Sequence, residues 1–213
     1  MIFDFQKIVN KVGVTGVIHI GGFVGEELSQ YRACSLYNTI IFEPQPNLFN
    51  IIDAKMVDGE QCVNYALGNI EGSMEMYISE SPGGIENGSG ASSSLLAPYK
   101  HLTEHPQIKF TEKINVNVMR LDDWIDENLE IRELPVYNFL NIDVQGYELE
   151  VLKGAEKHLE NIKGMIVEVN RDEIYKDCAK IWEIDDFLEH RGFERTEIAW
   201  QTESWGDAIY EKS

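Results

Sequence analysis

The sequence predicts an α/β domain built on a mostly parallel sheet, with helices on both faces and an antiparallel edge at the C-terminal end. Three observations carry this. Short apolar runs alternate with segments of helical periodicity along most of the chain. Glycines or carboxylates follow several of these runs, as in VIHIGG, IIFEP and FLNID, where a parallel strand would deliver its carboxyl end to a ligand. Two strand-like runs, Phe193–Ile198 and Ala208–Tyr210, stand side by side near the C-terminus around a turn at Trp205-Gly206-Asp207, with no helix between them.

Each element has a local reason. Asp4–Val12 spaces Phe5, Ile8, Val9 and Val12 as one helical face, and Gly13 closes it. Val17–Ile20 is a short apolar strand, followed by a helix over Glu26–Cys34. Thr39–Phe42 is a second strand ended by Glu43-Pro44, and Asn47 caps a helix over Asn47–Val57. Cys62–Leu67 is a third strand, and Met74–Ile78 alternates so as to extend the sheet or form an edge hairpin. Ser79–Pro98, rich in Gly, Ser and Pro, forms no regular element; a loop this long is either a lid or binding loop or an inert insert. Ile114–Met119 is a strand and Leu121–Glu127 a short acidic helix. Val136–Ile142 is an apolar strand ended by Asp143, and Gly146–Leu159 is a helix with Leu149, Leu152, Ala155 and Leu159 on one stripe. Met165–Val169 is a strand, and Trp182–His190 a helix stopped by Gly192.

The 213 residues are 43% hydrophobic and 10% aromatic, enough for one domain with its own core, expected to span 1–213. A net charge of -19 repels phosphate backbones and anionic lipid, so nucleic acid and membrane are not expected partners. No apolar run approaches the roughly 20 residues of a membrane span, and MIFDFQKIVNKVG lacks the apolar core of a secretory signal. Cys34, Cys62 and Cys178 are odd in number and far apart, which reads as reduced thiols and a cytoplasmic setting.

Ligands of such sheets bind beyond the carboxyl ends of the strands, which selects Gly21, Gly22, Glu43, Leu67, Asp143 and Glu168. Gly21, Gly22 and Gly25 let a ligand approach the backbone at a helix N-terminus, or else make only a tight turn. A G-x-G-x-x-G fingerprint ending on Gly22 and Gly25 would need its first glycine at Ile20, and no Gly-Lys-Ser/Thr follows for a phosphate loop. Glu26 and Glu27 sit where a pyrophosphate would bind; they oppose a dianion and tolerate a cation or zwitterion. Glu43, roughly 20 residues after the glycines, is placed to accept hydrogen bonds from a ribose diol, the alternative being a solvated carboxylate at a strand end. A ribose-bearing ligand without a pyrophosphate is indicated, and S-adenosylmethionine fits, with its sulfonium cation and zwitterionic amino acid. Asp143, Glu148 and Glu168 could converge near one site, although Glu148 in a first helical turn is also explained by the helix dipole.

The run FLNIDVQGYELEVLKGAE closely resembles the signature of the FkbM-type S-adenosylmethionine-dependent methyltransferases, approximately F-L-K-I-D-V-E-G-x-E-x-x-V-L-x-G. The resemblance extends through VIHIGGFVGEE, IIFEPQPNLF, VNYALG with EGSMEMY, SSSL and VNVMRLDDWI, nearly the whole chain. It implies one Rossmann-like class I methyltransferase domain whose seven-stranded sheet has an antiparallel last strand. It implies a cofactor site made by His19, Gly21, Gly22, Phe23, Gly25, Glu43, Pro44, Ala66, Leu67 and Asp143, with Gly21 and Gly25 flanking the amino acid part, Glu43 on the ribose and Ala66-Leu67 near the adenine. It also implies O-methylation of a small-molecule hydroxyl, most often of a sugar or glycan. Three residues depart from the pattern: Asn141 for the usual Lys, Gln145 for the usual Glu, and His19 for the common Asp.

A hydroxyl is a weak nucleophile, so a base or a metal is expected. Asp143 is the first candidate base, with His101 or His105 second if the loop folds over the site. Asp143, Glu168 and Asn170 offer hard oxygen ligands that would suit Mg. Competing readings remain. HLTEH, His101 to His105, matches the H-x-x-E-H zinc-peptidase pattern. Asp122-Asp123 would serve a metal-dependent sugar-nucleotide enzyme or glycosyltransferase, though the stripe Leu121, Trp124, Ile125 turns the pair toward solvent. A non-catalytic S-adenosylmethionine-binding protein is the third. Trp200, Trp205 and Tyr99 are candidates to stack on a sugar ring, or to pack in the core.

Overall fold

The computed structural model of the chain describes residues 2–129 and 136–213. Its main sheet has seven strands in the order β3-β2-β1-β7-β8-β10-β9. These are β1 (Val17–Ile20), β2 (Thr39–Phe42), β3 (Glu60–Val63), β7 (Phe139–Ile142), β8 (Gly164–Asn170), β9 (Phe193–Trp200) and β10 (Trp205–Lys212). The first five pair in parallel, while β10 runs antiparallel to both β8 and β9. This is the predicted sheet, with its antiparallel strand inserted beside β8.

The sheet is apolar on both faces because helices cover both. On one face α5 (Leu121–Asn128), α6 (Glu148–Gly154) and α7 (Ile181–Glu189) bury Trp124, Leu152 and Leu188 against Ile18, Leu140 and Val167. On the other, α1 (Phe5–Val12), α2 (Leu28–Ala33) and α3 (Pro46–Asp53) bring Phe5, Tyr31 and Ile52 against Val17, Phe139 and Ile41. Asp4 caps α1 by accepting the Lys7 amide, and Gly13 ends it in the left-handed region at φ 71°.

Three expectations need correction. Asn47 does not cap the third helix: α3 opens at Pro46, with Gln45 at the cap position making no side-chain cap bond. Cys62–Leu67 is not one strand. Asn64 donates its side-chain amide to the carbonyls of Glu43 and Pro44 at 2.9 and 3.0 Å, which turns the chain out of the main sheet after Val63. Ala66–Leu67, here β4, then pairs with β6 (Lys109–Met119), and β5 (Gly72–Glu80) joins β6 from the other side. Met74–Ile78 thus belongs to a separate three-stranded sheet. Gly146–Leu159 is also not one helix: residues 143–147 form the turn after β7, α6 ends at Gly154, and a 3-10 turn over His158–Glu160 follows. Gly154 allows a close approach, since a Cβ there would lie 2.0 Å from the Gly68 carbonyl oxygen. Segment 79–98 holds a short 3-10 turn, Ile85–Asn87, and bridges to Tyr77 through Ser94 and to Tyr175 through Pro98. The short helix α4 (His101–Glu104) follows it.

Candidate cofactor and active site

Strand pleating decides which side chains meet at the carboxyl end of the sheet. His19 on β1 is in register with Asn141 on β7, and Asn141 with Ile166 on β8. One pleat further toward the carboxyl ends lie Gly21, Asp143, Glu168 and Asp207, with Glu168 the register partner of Asp207. Gly21 is required here for two reasons: its φ is +91°, and a Cβ would fall 1.8 Å from the Asp143 carbonyl oxygen. At Gly22 a Cβ would strike Ile41 Cγ2 at 2.3 Å.

Above this edge lies a cavity of about 620 Å³. The β1 turn contributes His19, Gly21, Gly22 and Phe23 to its lining; the β2 exit gives Glu43, Pro44 and Gln45. Ala66 and Leu67 line it beside Tyr65, and the β7 turn adds Asp143, Gln145 and Tyr147. Segment 79–98 supplies Glu86, Gly90, Ser93 and Leu95, so it forms part of the wall. Gln201 and Asp207 close the end over β9 and β10. Of the residues implied for the cofactor, all but Gly25 line the cavity. Gly25 instead donates its amide to the Gly22 carbonyl at 2.7 Å and tightens the turn.

Glu43 is 2% exposed and holds the site together. Its Oε2 accepts the Phe23 amide at 2.9 Å and its Oε1 the Gln45 amide at 2.8 Å, tying the β1 turn to the β2 exit. Burial pushes its carboxyl up to about 7, against the pull of those two amides. Each oxygen keeps acceptor capacity for a ligand. Gln45 reaches Gly90 and Ser93 and so couples this edge to segment 79–98.

Asp143 is flanked by Gln145, whose amide donates to Asp143 Oδ1 at 2.7 Å and to Glu168 Oε2 at 2.9 Å. The side-chain oxygen of Gln145, Oε1, accepts from the Tyr175 hydroxyl at 2.8 Å. Burial raises Asp143, and Glu168 is raised well above the ordinary range by burial and by the neighbouring carboxylates Asp143 and Glu148. Glu148 is fully buried; its Oε1 accepts the amides of Val144 and Gly146, and burial pushes it up to about 7. It fastens the turn that presents Asp143 and does not line the cavity.

Several candidates lie elsewhere. Glu168 sits behind Gln145, off the cavity wall, and neither side-chain polar atom of buried Asn170 has a partner. The amide of Gln145 occupies the space between the two carboxylates that a cation would need, and Asn170 is not on the wall, so Asp143, Glu168 and Asn170 do not fit Mg as a set. Among the described residues no group of three or more His, Cys, Asp or Glu is arranged to hold a metal ion. His101 and His105 are not on the wall. His101 is buried against Phe110 and Tyr175, which holds it down at about 4, and Glu104 accepts from Ser204 at 2.7 Å. The zinc-peptidase pattern is thus a packed turn.

Asp122 is likewise not solvated. It is 5% exposed, accepts from Arg120, and caps the amides of Lys157 and His158 at 3.1 and 3.2 Å. Neither Asp122 nor Asp123 lines the cavity, which leaves the glycosyltransferase reading without a site there. Trp200 lies under Arg171, and Trp205 packs beside Ile174 and Tyr175; neither they nor exposed Tyr99 line the cavity. Gln45, Tyr65, Gln201 and Asp207 were not singled out from sequence. Only Asp207 carried a signal, as an acid in the turn between two closing strands.

The family-wide pattern described as the methyltransferase FkbM domain matches residues 19–195. The chain belongs to the FkbM methyltransferase family. The FkbM domain is 27% identical over 149 residues to the 2-O-methyltransferase NoeI of Sinorhizobium fredii, covering 69% of this chain and 59% of that one. It is 27% identical over 164 residues to methyltransferase 1 of Beauveria bassiana, covering 72% and 64%. It therefore spans about three fifths of the length of these curated relatives. A 56-residue stretch, 26% of this chain and 23% of the other, is 41% identical to the hexuronic acid methyltransferase AglP of Haloferax volcanii. Among solved structures, the magnesium protoporphyrin IX methyltransferase ChlM from Synechocystis, with bound S-adenosylmethionine, superposes with TM-score 0.51 at 10% identity over 98% of this chain and 75% of that one. An rRNA methylase from Streptococcus thermophilus also gives TM-score 0.51 at 10% identity, over 100% and 98%. At these identities the likeness is one of fold. Among the described residues of the FkbM domain, no helix is long and apolar enough to cross a membrane.

Proposed function

We propose that the chain is an S-adenosylmethionine-dependent O-methyltransferase acting on a hydroxyl of a sugar or glycan. The observation that carries this is the pairing of the Gly21-Gly22 turn with Glu43 in a cavity lined by carboxylates and, among the described residues, by no Lys or Arg. Such a wall favours a cationic, ribose-bearing ligand over a dinucleotide, whose pyrophosphate needs positive charge or free amides. The name of the relative 2-O-methyltransferase NoeI supports transfer to oxygen, and that of the hexuronic acid methyltransferase AglP supports a sugar acceptor.

The residues fit the cofactor. Glu43 would accept the ribose hydroxyls with the lone pairs that Phe23 and Gln45 leave, and Ala66, Leu67 and Tyr65 would offer an apolar slot to the adenine. The Gly21 turn, where a side chain has no room, would receive the amino acid part, with Asp143 beside it. S-adenosylmethionine supplies, when bound, a methyl carbon activated by the adjoining sulfonium. The chain's task is then to align the acceptor oxygen and to take its proton. Asp143, held in place by Gln145 at the cavity wall, would flank the reacting centre. Segment 79–98 would exclude water from one side.

Titration calorimetry with S-adenosylmethionine and, separately, NAD tests the reading. Micromolar binding of the former, weakened at least tenfold in Glu43→Gln, is expected. Binding of NAD alone would overturn it. A screen of sugars and glycans for methyl transfer then identifies the acceptor.

A further inference from the structure

The cavity has a second end. Over β8, β9 and β10 its wall is made by Asp207 and Gln201, and Glu26, Glu27 and Phe3 line the same cavity. Gln201 donates its amide to Asp207 Oδ2 at 2.8 Å, which fixes the carboxylate and leaves Oδ1 for another partner. Asp207 is the register partner of Glu168 and shares the sheet's carboxyl edge with Asp143. This end lies away from the Glu43 and Leu67 end, which the cofactor would fill.

Resting on the function proposed above, we propose that Asp207 and Gln201 form the acceptor subsite, that Asp207 takes the proton of the reacting hydroxyl, and that the subsite admits neutral or amine-bearing polyols and rejects anionic ones. In the reaction the acceptor oxygen forms a bond to the methyl carbon as the carbon–sulfur bond breaks. The electron pair of the broken bond stays on sulfur, and the hydroxyl proton passes to Asp207 Oδ1. Charge selection follows from the wall: Glu26, Glu27, Glu86, Asp143 and Asp207 repel a net anionic acceptor, with no Lys or Arg among the described lining residues to offset them, so this subsite would differ from one for a hexuronic acid, the acceptor in the name of the relative AglP. An ammonium group or a neutral hydroxyl meets no such barrier. Burial and the nearby Asp143 carboxylate push Asp207 up to about 6, so it is ionised at neutral pH yet basic enough to accept a proton. The charged groups facing it are Glu168, Asp143 and Glu27.

The test uses methyl glucoside, methyl glucosaminide and methyl glucuronide as probes, read by saturation-transfer NMR on the full chain saturated with S-adenosylhomocysteine. The glucoside and glucosaminide should bind, and the glucuronide at least tenfold more weakly. Gln201→Lys should narrow that gap to under threefold. In turnover with whichever probe is methylated, Asp207→Asn should lower kcat at least fiftyfold, change KM little and abolish the rise in rate near pH 6. Equal or tighter binding of the glucuronide overturns the proposal. So does absence of binding by all three probes while S-adenosylhomocysteine binds, or an Asp207→Asn protein with wild-type rate and pH profile. Failure of S-adenosylhomocysteine to bind the wild-type chain counts instead against the proposed function, and with it the subsite.

Discussion

Gln145 donates its side-chain amide to Glu168 at 2.9 Å, and the same nitrogen reaches Asp143 at 2.7 Å. One neutral donor thereby holds the buried Glu168 carboxylate beside that of Asp143 at the cavity wall. The family signature usually has a Glu at this position, which would make a third carboxylate. The substitution explains why the residues expected to hold Mg do not form a cation site in this chain.

Gln145→Glu should therefore destabilise the protein by about 3 kcal/mol at pH 8, the scale of an uncompensated buried charge. Millimolar Mg should recover part of that loss in the variant and leave the wild-type chain unchanged. Urea midpoints with and without Mg read both effects. An unaltered midpoint in the variant would refute the account.

His19 and Asn141 are register partners, and both meet Tyr31. Its hydroxyl accepts from Asn141 at 2.8 Å and lies 3.3 Å from His19 Nδ1. Burial lowers His19, so the neutral ring can accept the hydroxyl proton. The Asp and Lys usual in the family at these two positions would form an ion pair; here an uncharged network spans the same strands. Tyr31→Phe leaves two buried polar groups without a partner and should cost about 2 kcal/mol. A loss below about 0.5 kcal/mol, typical of a surface change, would contradict the network.

Burial raises Glu43 and Glu148 from 4.5 to about 7 and Asp207 from 3.8 to about 6. The folded chain thus keeps protons that the unfolded chain has released. The associated stability is full below the unfolded values and is lost as pH rises through 6 to 7. A group shifted this far carries about 3 kcal/mol, or roughly 10 °C in a chain of this size. Thermal melts of the ligand-free protein should fall in Tm between pH 5 and pH 8. A flat or rising profile would show that these carboxylates are ionised throughout.

Gly21→Ala places a Cβ 1.8 Å from the Asp143 carbonyl oxygen at a φ of +91°. Overpacking and backbone strain together should cost roughly 2–5 kcal/mol and abolish cofactor binding, with circular dichroism and calorimetry as the readouts. A stable variant that still binds would show that β1 and β7 can separate.

The sequence by itself determined the layered sheet, the antiparallel C-terminal strand and the family. Strand–helix alternation and the run FLNIDVQGYELEVLKGAE are local patterns, and each states its meaning within one stretch of chain. It also named Gly21, Glu43 and Asp143, because the end of a parallel strand is a position that sequence can locate. The tertiary structure decided what those residues touch. Asn64 turned one expected strand into two sheets by reaching the Glu43 and Pro44 carbonyls. Gln145 separated Glu168 from the cavity, Asp122 was drawn inward by two distant amides, and Gln201 with Asp207 arrived at the wall from the last hairpin. These outcomes depend on register and on hydrogen bonds between residues far apart in the chain, which no local periodicity encodes.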